Sequence, residues 1–300
     1  MQSRLGIYAL LAVMPLLFST NVVIGRASVA LVEPWTLAFW RWGLAALILL
    51  PFAWTGIVRN RAAFSAVRRE ILILGLLGML VCGGLVYVSL HWTTATNAAL
   101  IYTGSTLFIV VLDALYFRQP LGLSRVAGLI VGFLGVATIV LQGEPHRLLS
   151  LDLNKGDLGI AVCAFSWAVY TVMLKAEKLR ALPTLPLFAV IASVGAITLV
   201  PPMLYEAIAL NAIPVSPRAW LNILMLAIIP SVGAYGVYQI CVKEVGPSIT
   251  GVFMYFMPVY SAALAALTLG ESFLTYHVIG LVLVLGGVAL ASNPFTSRKL

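Results

Sequence analysis

The sequence is dominated by long apolar stretches separated by short polar breaks. A helix rises 1.5 Å per residue, so about 20 consecutive apolar residues are needed to cross a hydrocarbon core about 30 Å thick. Backbone amides in lipid must be satisfied within the protein, and the stretches are too long for barrel strands, so each one predicts a helix. The expected spans are residues 5–25, 34–55, 70–90, 95–116, 122–141, 157–175, 184–206, 219–241, 248–269 and 276–293.

The composition excludes a water-soluble enzyme. Of the 300 residues, 62% are hydrophobic and 9% are charged, whereas soluble domains average about 45–50% apolar and about 25% charged residues. Ten spans with their loops leave no room for a separate folded domain. The stretch that begins at Leu5 has no A-x-A cleavage site, so we expect it to be a membrane span and not a signal peptide.

The positions of the charges predict the orientation in the membrane. The net charge of +8 reflects a shortage of acidic residues, and nucleic acid is not an expected partner. If the N-terminus is cytoplasmic, thirteen Lys and Arg residues fall on the cytoplasmic side, four fall on the other side, and Arg41 lies within the second span. Cytoplasmic loops carry an excess of such residues. We therefore expect a multi-pass protein of the cell inner membrane with both termini in the cytoplasm.

An internal similarity predicts a repeat. Residues 117–137 resemble residues 269–289 at an offset of 152, so that Gly128 matches Gly280. Two halves of five helices have opposite orientations, because five is odd, and such inverted repeats are typical of secondary transporters. The expected fold is an all-α membrane protein with ten transmembrane helices in two inverted-topology five-helix repeats, residues 1–148 and 149–300. Chance similarity between Gly- and Val-rich helices is the alternative.

The sequence contains no set of residues spaced as a catalytic site requires. His91, His146 and His277 fall near span ends or in loops, and the three cysteines lie in apolar runs without the spacing of a metal site. The Gly-rich stretches lack the Lys and Ser/Thr of a phosphate-binding loop. We therefore expect no enzyme, no cofactor and no ATP motor. A passive channel is harder to exclude and stays open as a rival hypothesis.

Two ionisable residues within expected spans, Arg41 and Asp113, need an explanation, because charge in the membrane is costly. Arg41 allows both a structural and a substrate-binding role. Asp113 is expected to form an interfacial ion pair with nearby Arg118. Small-residue positions, Gly128 with Gly132 in one helix and Gly280, Gly286 and Gly287 in another, are expected to serve helix packing.

Aromatic and polar residues at span depth favour a water-filled cavity. Buried phenol and indole groups need hydrogen-bond partners, which a cavity supplies, although bundle packing could explain any one of them. Trp167 stands ten residues into the sixth span, near the midplane, and Tyr170 shares its face. Pro15, Pro230 and Pro258 suggest kinks or hinges. The candidate substrate-binding residues are Asn21, Tyr87, Tyr102, Ser105, Trp167, Tyr170, Tyr238, Tyr255 and Met257.

Four segments carry a resemblance to a known family. They are FSTN at 18–21, Glu33-Pro34 followed by Arg41, WAVY at 167–170, and MYFMPVYSAALAALTLGES at 254–272. In these segments the chain resembles the drug/metabolite transporter superfamily, in its EamA branch of ten-helix carriers, over nearly all of its length. Its first half departs from the pattern, with Thr106 and Gln119 where a proline and a glutamate would fall.

The resemblance implies a secondary carrier that exports small metabolites by alternating access through a central cavity between the repeats. Similarity to bacterial amino-acid exporters makes amino acids, aromatic ones among them, the leading substrates. A multidrug or quaternary-amine exporter of the same superfamily is the alternative, because a cavity with several aromatic rings also suits cations. The expected partners are a small-molecule substrate and the lipid bilayer, and we expect a monomer.

Overall fold

A computed structural model describes residues 4–93, 95–118, 121–150, 154–269 and 274–291, which form helices and short turns. The α-helices in these ranges are α1 (Arg4–Ser28), α2 (Pro34–Arg59), α3 (Arg61–Ala66), α4 (Arg68–Gly75), α5 (Val86–Ser89), α6 (Ala95–Thr103), α7 (Ser105–Tyr116), α8 (Leu123–Val140), α9 (Lys155–Met173), α10 (Glu177–Arg180), α11 (Thr184–Thr198), α12 (Val200–Ala209), α13 (Pro217–Leu226), α14 (Gly236–Val245), α15 (Pro247–Phe253), α16 (Phe256–Leu269) and α17 (Thr275–Ala291). A π-helical segment, Leu76–Leu85, joins α4 to α5, and another, Ala227–Tyr235, joins α13 to α14.

Eight helical stretches in the described residues are long and apolar enough to cross a membrane. They are Leu5–Gly25, Pro34–Arg59, Arg68–Ser89, Ala98–Tyr116, Leu123–Val140, Lys155–Met173, Thr184–Ala209 and Pro217–Val245. A further apolar helix, Thr275–Ala291, is shorter. The protein is therefore an all-α, multi-pass membrane protein.

Two of the expected spans are interrupted near their middle. The fourth breaks at Gly104, between α6 and α7, and the ninth breaks at Met254 and Tyr255, between α15 and α16. Pro258 lies in the first turn of α16, where a proline is tolerated because the amide that it lacks would have no partner within the helix. The sequence placed Pro258 inside one continuous helix, and the break instead precedes it.

Helices α8 and α17 pack backbone to backbone. A Cβ atom added to Gly128 would lie 2.4 Å from the amide nitrogen of Ala291, and one added to Gly287 would lie 2.3 Å from that of Gly132. Only glycine allows this approach. Gly286 has open space around its Cβ position, so including it in the packing face was wrong.

The centre of the bundle is built around α1, which packs against α16 and the second π-helical segment, while α9 packs against the first. Helix α2 packs along α11. The buried carboxylate of Glu206 fixes the start of α2. Glu206 accepts hydrogen bonds from the amides of Trp35 at 3.1 Å and Thr36 at 2.8 Å. This negative charge caps the helix N-terminus favourably.

Candidate functional site

A cavity of about 630 Å³ lies inside the bundle. Its walls come from α1, α2, the two π-helical segments, α5 to α9 and α16, together with the turns beside them. Six of the nine residues that the sequence predicts for the substrate site line it: Asn21, Tyr87, Tyr102, Ser105, Trp167 and Met257.

The cavity reaches one end of the bundle only. Its lining includes Val29, Leu90 and Thr93, which follow α1 and α5 or lie beside their ends, and we call this end the mouth. From there the lining runs to mid-helix residues such as Phe18 and Trp167. Among the described residues, none from the opposite ends of these helices lines the cavity. We call that opposite end the closed end.

Arg41 is placed in the cavity wall by α2 and is 2% exposed. Its Nε donates a hydrogen bond to Ser231 Oγ at 2.6 Å, and its Nη1 donates to Tyr87 OH at 2.8 Å and to Asn21 Oδ1 at 3.2 Å. Tyr87 OH in turn donates to Asn21 Oδ1 at 2.9 Å. The guanidinium is thus held by three neutral side chains from three different elements.

The second π-helical segment explains the contact with Ser231. A π-turn lets Ser231 Oγ donate to the carbonyl of Leu226, five residues earlier, at 2.9 Å, so its oxygen is free to accept from Arg41. Short π-helical insertions frequently occur at functional sites. Sequence reasoning did not single out Ser231, because a serine in an apolar run carries no signal of such a turn.

The charge of Arg41 is not neutralised by any described side chain, because none of the described carboxylates forms an ion pair with it. Besides its three hydrogen-bond acceptors, the guanidinium has the Trp42 ring beside it, with the ring centroid 5.0 Å from Arg41 Cζ. An uncompensated buried charge is costly. The sequence left the role of Arg41 open, and the structure places it in the cavity.

An aromatic cluster closes the inner side of the cavity. We call Phe18, Trp167 and Tyr235, which all line the cavity, the aromatic floor, and Tyr170 and Tyr238 pack beneath it. Trp167 stacks on Tyr170 at a centroid distance of 5.3 Å and meets Tyr235 edge-on at 5.2 Å. Sequence reasoning omitted Phe18, although it lies in helical register with Asn21, and it omitted Tyr235 from the site.

Tyr170 and Tyr238 do not line the cavity but support the floor from below. Gln239 donates to Tyr170 OH at 3.1 Å, and Tyr238 OH hydrogen-bonds with Thr171 at 2.7 Å. Both phenols are fully buried. Contact of these two side chains with a substrate would require the floor to rearrange.

Tyr255 also lies outside the cavity lining. It is fully buried, and a Cβ atom on Gly132 would come within 2.6 Å of its ring. Tyr255 OH donates to the carbonyl of Leu129 at 3.4 Å. The break before α16 turns this side chain towards α8, which a continuous helix would not suggest.

A buried ion pair lies at the closed end. Lys175 Nζ is 2.9 Å from Asp113 Oδ1, and Ser248 donates to Asp113 Oδ2. The expected pairing of Asp113 with Arg118 is wrong. Helix α7 ends at Tyr116, and Arg118 lies in the turn beyond it with a positive φ of 51°, so it does not continue the helical face of Asp113. Gln119 lies outside the described residues, as does Glu271 of the 254–272 segment.

Comparison with known proteins gives the family. The sequence pattern of the EamA-like transporter family matches residues 5–141 and 154–293. The chain is 29% identical to the uncharacterized transporter YyaM of Bacillus subtilis, over 99% of this chain and 96% of that protein. It is 28% identical to an uncharacterized transporter of Archaeoglobus fulgidus, over 95% of this chain and 96% of that protein.

Two further matches are more distant. A WAT1-related protein of Arabidopsis thaliana is 25% identical over 85% of this chain and 76% of its own length. A protein crystal structure superposes with a TM-score of 0.74 at 22% identity, covering 98% of this chain and 99% of the other, and so shows the same fold. Since the family pattern covers most of both halves, the chain belongs to the EamA-like transporter family.

Proposed function

We propose that the protein is a ten-helix secondary carrier that exports amino acids, aromatic ones among them, across the cell inner membrane by alternating access. The observation that carries this proposal is the cavity of about 630 Å³, which is open at the mouth and closed by the aromatic floor. Carriers expose a central site to one side at a time, whereas an open channel needs a continuous path.

Corresponding irregularities in the two halves support an inverted repeat with units at 1–148 and 149–300. The second π-helical segment begins at Ala227, which is 227 − 76 = 151 residues after Leu76. The break at Tyr255 likewise follows that at Gly104 by 255 − 104 = 151 residues. The family pattern matches each half, and α8 packs on α17, its counterpart in the repeat.

The same irregularities supply hinges. Backbone breaks and π-turns in membrane helices leave hydrogen bonds that can be exchanged between conformations. They flank the cavity at Gly104, at Met254 and within the second π-helical segment. With both termini cytoplasmic, as the charge distribution favours, the mouth faces outward and the closed end faces the cytoplasm.

The cavity suits an amino acid in size and lining. Its volume falls within the range of about 300–1,000 Å³ typical of small-molecule sites. Aromatic and apolar side chains form the floor, and Arg41, Asn21 and Tyr87 provide polar groups. The quaternary-amine alternative fits less well, since an unneutralised arginine repels cations.

Reconstituted liposomes test the proposal. Liposomes that contain the protein and are preloaded with unlabelled amino acid should transiently accumulate labelled amino acid by counterflow. The initial rate of uptake should saturate as the concentration of labelled amino acid rises. A panel of amino acids run in parallel identifies the substrate. Flux that rises linearly with concentration and shows no counterflow would contradict a carrier and favour a channel.

A further inference from the structure

We propose that Arg41 is the receptor for a carboxylate of the substrate, and that the cavity selects carboxylates with an apolar or aromatic body whether or not they carry an ammonium group. This inference rests on the proposed function in taking the cavity as the substrate site. It narrows the substrate class to a chemical group that one side chain recognises.

Arg41 has N–H donors that no described residue uses. A guanidinium has five N–H groups. Ser231 takes the one on Nε, and Tyr87 and Asn21 take the two on Nη1. Nη2 makes no hydrogen bond to a described residue, and it is not among the fully buried described atoms that lack a partner. Two charged donors therefore remain for a ligand.

The cavity lining carries one positive charge among its described residues. Among the described residues that line the cavity, Arg41 is the only charged one. A buried guanidinium is stabilised by an anion, and hydrogen bonds between arginine and carboxylate are among the strongest in proteins. One arginine without a second cation suits a singly charged carboxylate better than a doubly charged phosphate.

The surface beside Arg41 suits an apolar or aromatic ligand body. Trp42 packs edge-on against Tyr235 at 4.7 Å, so the aromatic floor begins beside Arg41. Trp167 and Tyr235 line the same cavity as Arg41, so they offer an apolar surface to a ring or alkyl chain attached to the carboxylate. The described lining offers no carboxylate to an ammonium group. That group would lose hydration without gaining an ion pair, so it should add no affinity.

Four probes of similar size separate these features: 3-phenylpropionate, its amide, phenylalanine and phenethylamine. We would measure their binding to the purified, full-length protein in detergent, by calorimetry and by thermal shift. The two carboxylates should bind, with 3-phenylpropionate at least as tight as phenylalanine. The amide and the amine should bind at least about 10-fold more weakly.

Two substitutions of Arg41 assign the effect. Arg41→Gln should weaken carboxylate binding by about 10- to 100-fold and abolish the preference over the amide. Arg41→Lys keeps the charge and should retain the preference at lower affinity, so it tests the inference even if the glutamine variant does not fold. Arg59→Gln is the matched control, because it makes the same change at the exposed end of the same helix, outside the cavity lining, and should leave carboxylate binding unchanged.

Each contrary result has a distinct meaning. Equal binding of amide and carboxylate, or carboxylate binding unchanged by Arg41→Gln, would overturn the role of Arg41. Phenylalanine binding more than about 10-fold tighter than 3-phenylpropionate would overturn the indifference to ammonium. Arg41-dependent carboxylate binding without counterflow would refute the carrier alone, while counterflow that is independent of Arg41 would refute this inference alone.

Discussion

Lys175 Nζ lies 2.9 Å from Asp113 Oδ1, and this ion pair joins α7 to the turn that follows α9 at the closed end of the bundle. Ser248 of α15 binds the other carboxylate oxygen. The Asp113 side chain is 5% exposed and that of Lys175 is 19% exposed, so the pair is largely shielded from solvent. Three elements are thereby held together beneath the aromatic floor.

Removing the negative charge of Asp113 should weaken the contacts between the elements at the closed end. Asp113→Asn leaves Lys175 without its partner, and we expect a loss of about 1–3 kcal/mol of stability, less than for a fully buried pair because Lys175 is partly exposed. Thermal unfolding in detergent measures the loss. The double variant Asp113→Asn with Lys175→Met should recover part of it. If Asp113→Asn is as stable as the wild type, the ion pair does not stabilise the closed end.

Trp167 is expected to contribute to both binding and stability. Trp167→Ala removes floor area that faces the cavity, so substrate affinity should fall about 5- to 150-fold, equivalent to about 1–3 kcal/mol. Isothermal calorimetry measures this change, and a melting curve on the same sample reports stability. Tyr238→Phe is the control, because it removes the Thr171 hydrogen bond beneath the floor without altering the lining. Lower stability with unchanged affinity in Trp167→Ala would remove Trp167 from the site.

The contact between α8 and α17 provides a matched pair of variants. Gly287→Ala would place a Cβ atom 2.3 Å from the Gly132 amide nitrogen, whereas Gly286→Ala meets nothing within 4 Å. Because backbone must move to relieve the first clash, we expect Gly287→Ala to cost about 1–3 kcal/mol. The Gly286→Ala substitution should change the stability little. Equal melting temperatures for the two variants would mean that the helices are not in close contact at this position.

Much of the fold could be predicted from the sequence, since hydrophobic length and periodicity report directly on helices in a bilayer. Trp167, Tyr87 and Asn21 were also predicted for the site, because large or polar groups at span depth need a cavity or a partner. Arg41 was noticed for the same reason. Its partners decide its role, and they come from distant parts of the chain.

Other features could not be predicted, because they depend on backbone irregularity. The π-turn that frees Ser231 to accept from Arg41 leaves no periodic signal in an apolar run. The break before α16 turns Tyr255 away from the cavity, and Tyr238 faces Thr171 instead of the lining. Asp113 was assigned the wrong partner because Lys175 is adjacent only in three dimensions.

The orientation predicted from the positive charges is testable by cysteine labelling. In a variant without the three native cysteines, single cysteines in the 59–69 and 176–182 connections should react only from the cytoplasm. Those in the 143–156 and 207–218 connections should react only from outside, because the thirteen-to-four charge bias opposes translocation of the former. Labelling of position 147 from the cytoplasm would contradict the predicted orientation.

Alternating access predicts that the cavity lining is accessible from one side of the membrane at a time, and labelling from each side tests this directly. Thr103 lines the cavity above the break at Gly104. In oriented liposomes and the same cysteine-free background, Thr103→Cys should react with a membrane-impermeant thiol reagent added on the mouth side and be protected from the other side. Saturating substrate, or the added substitution Asp113→Asn, should increase labelling from the closed-end side and decrease it from the mouth. Simultaneous labelling from both sides, unaffected by substrate, would contradict the account.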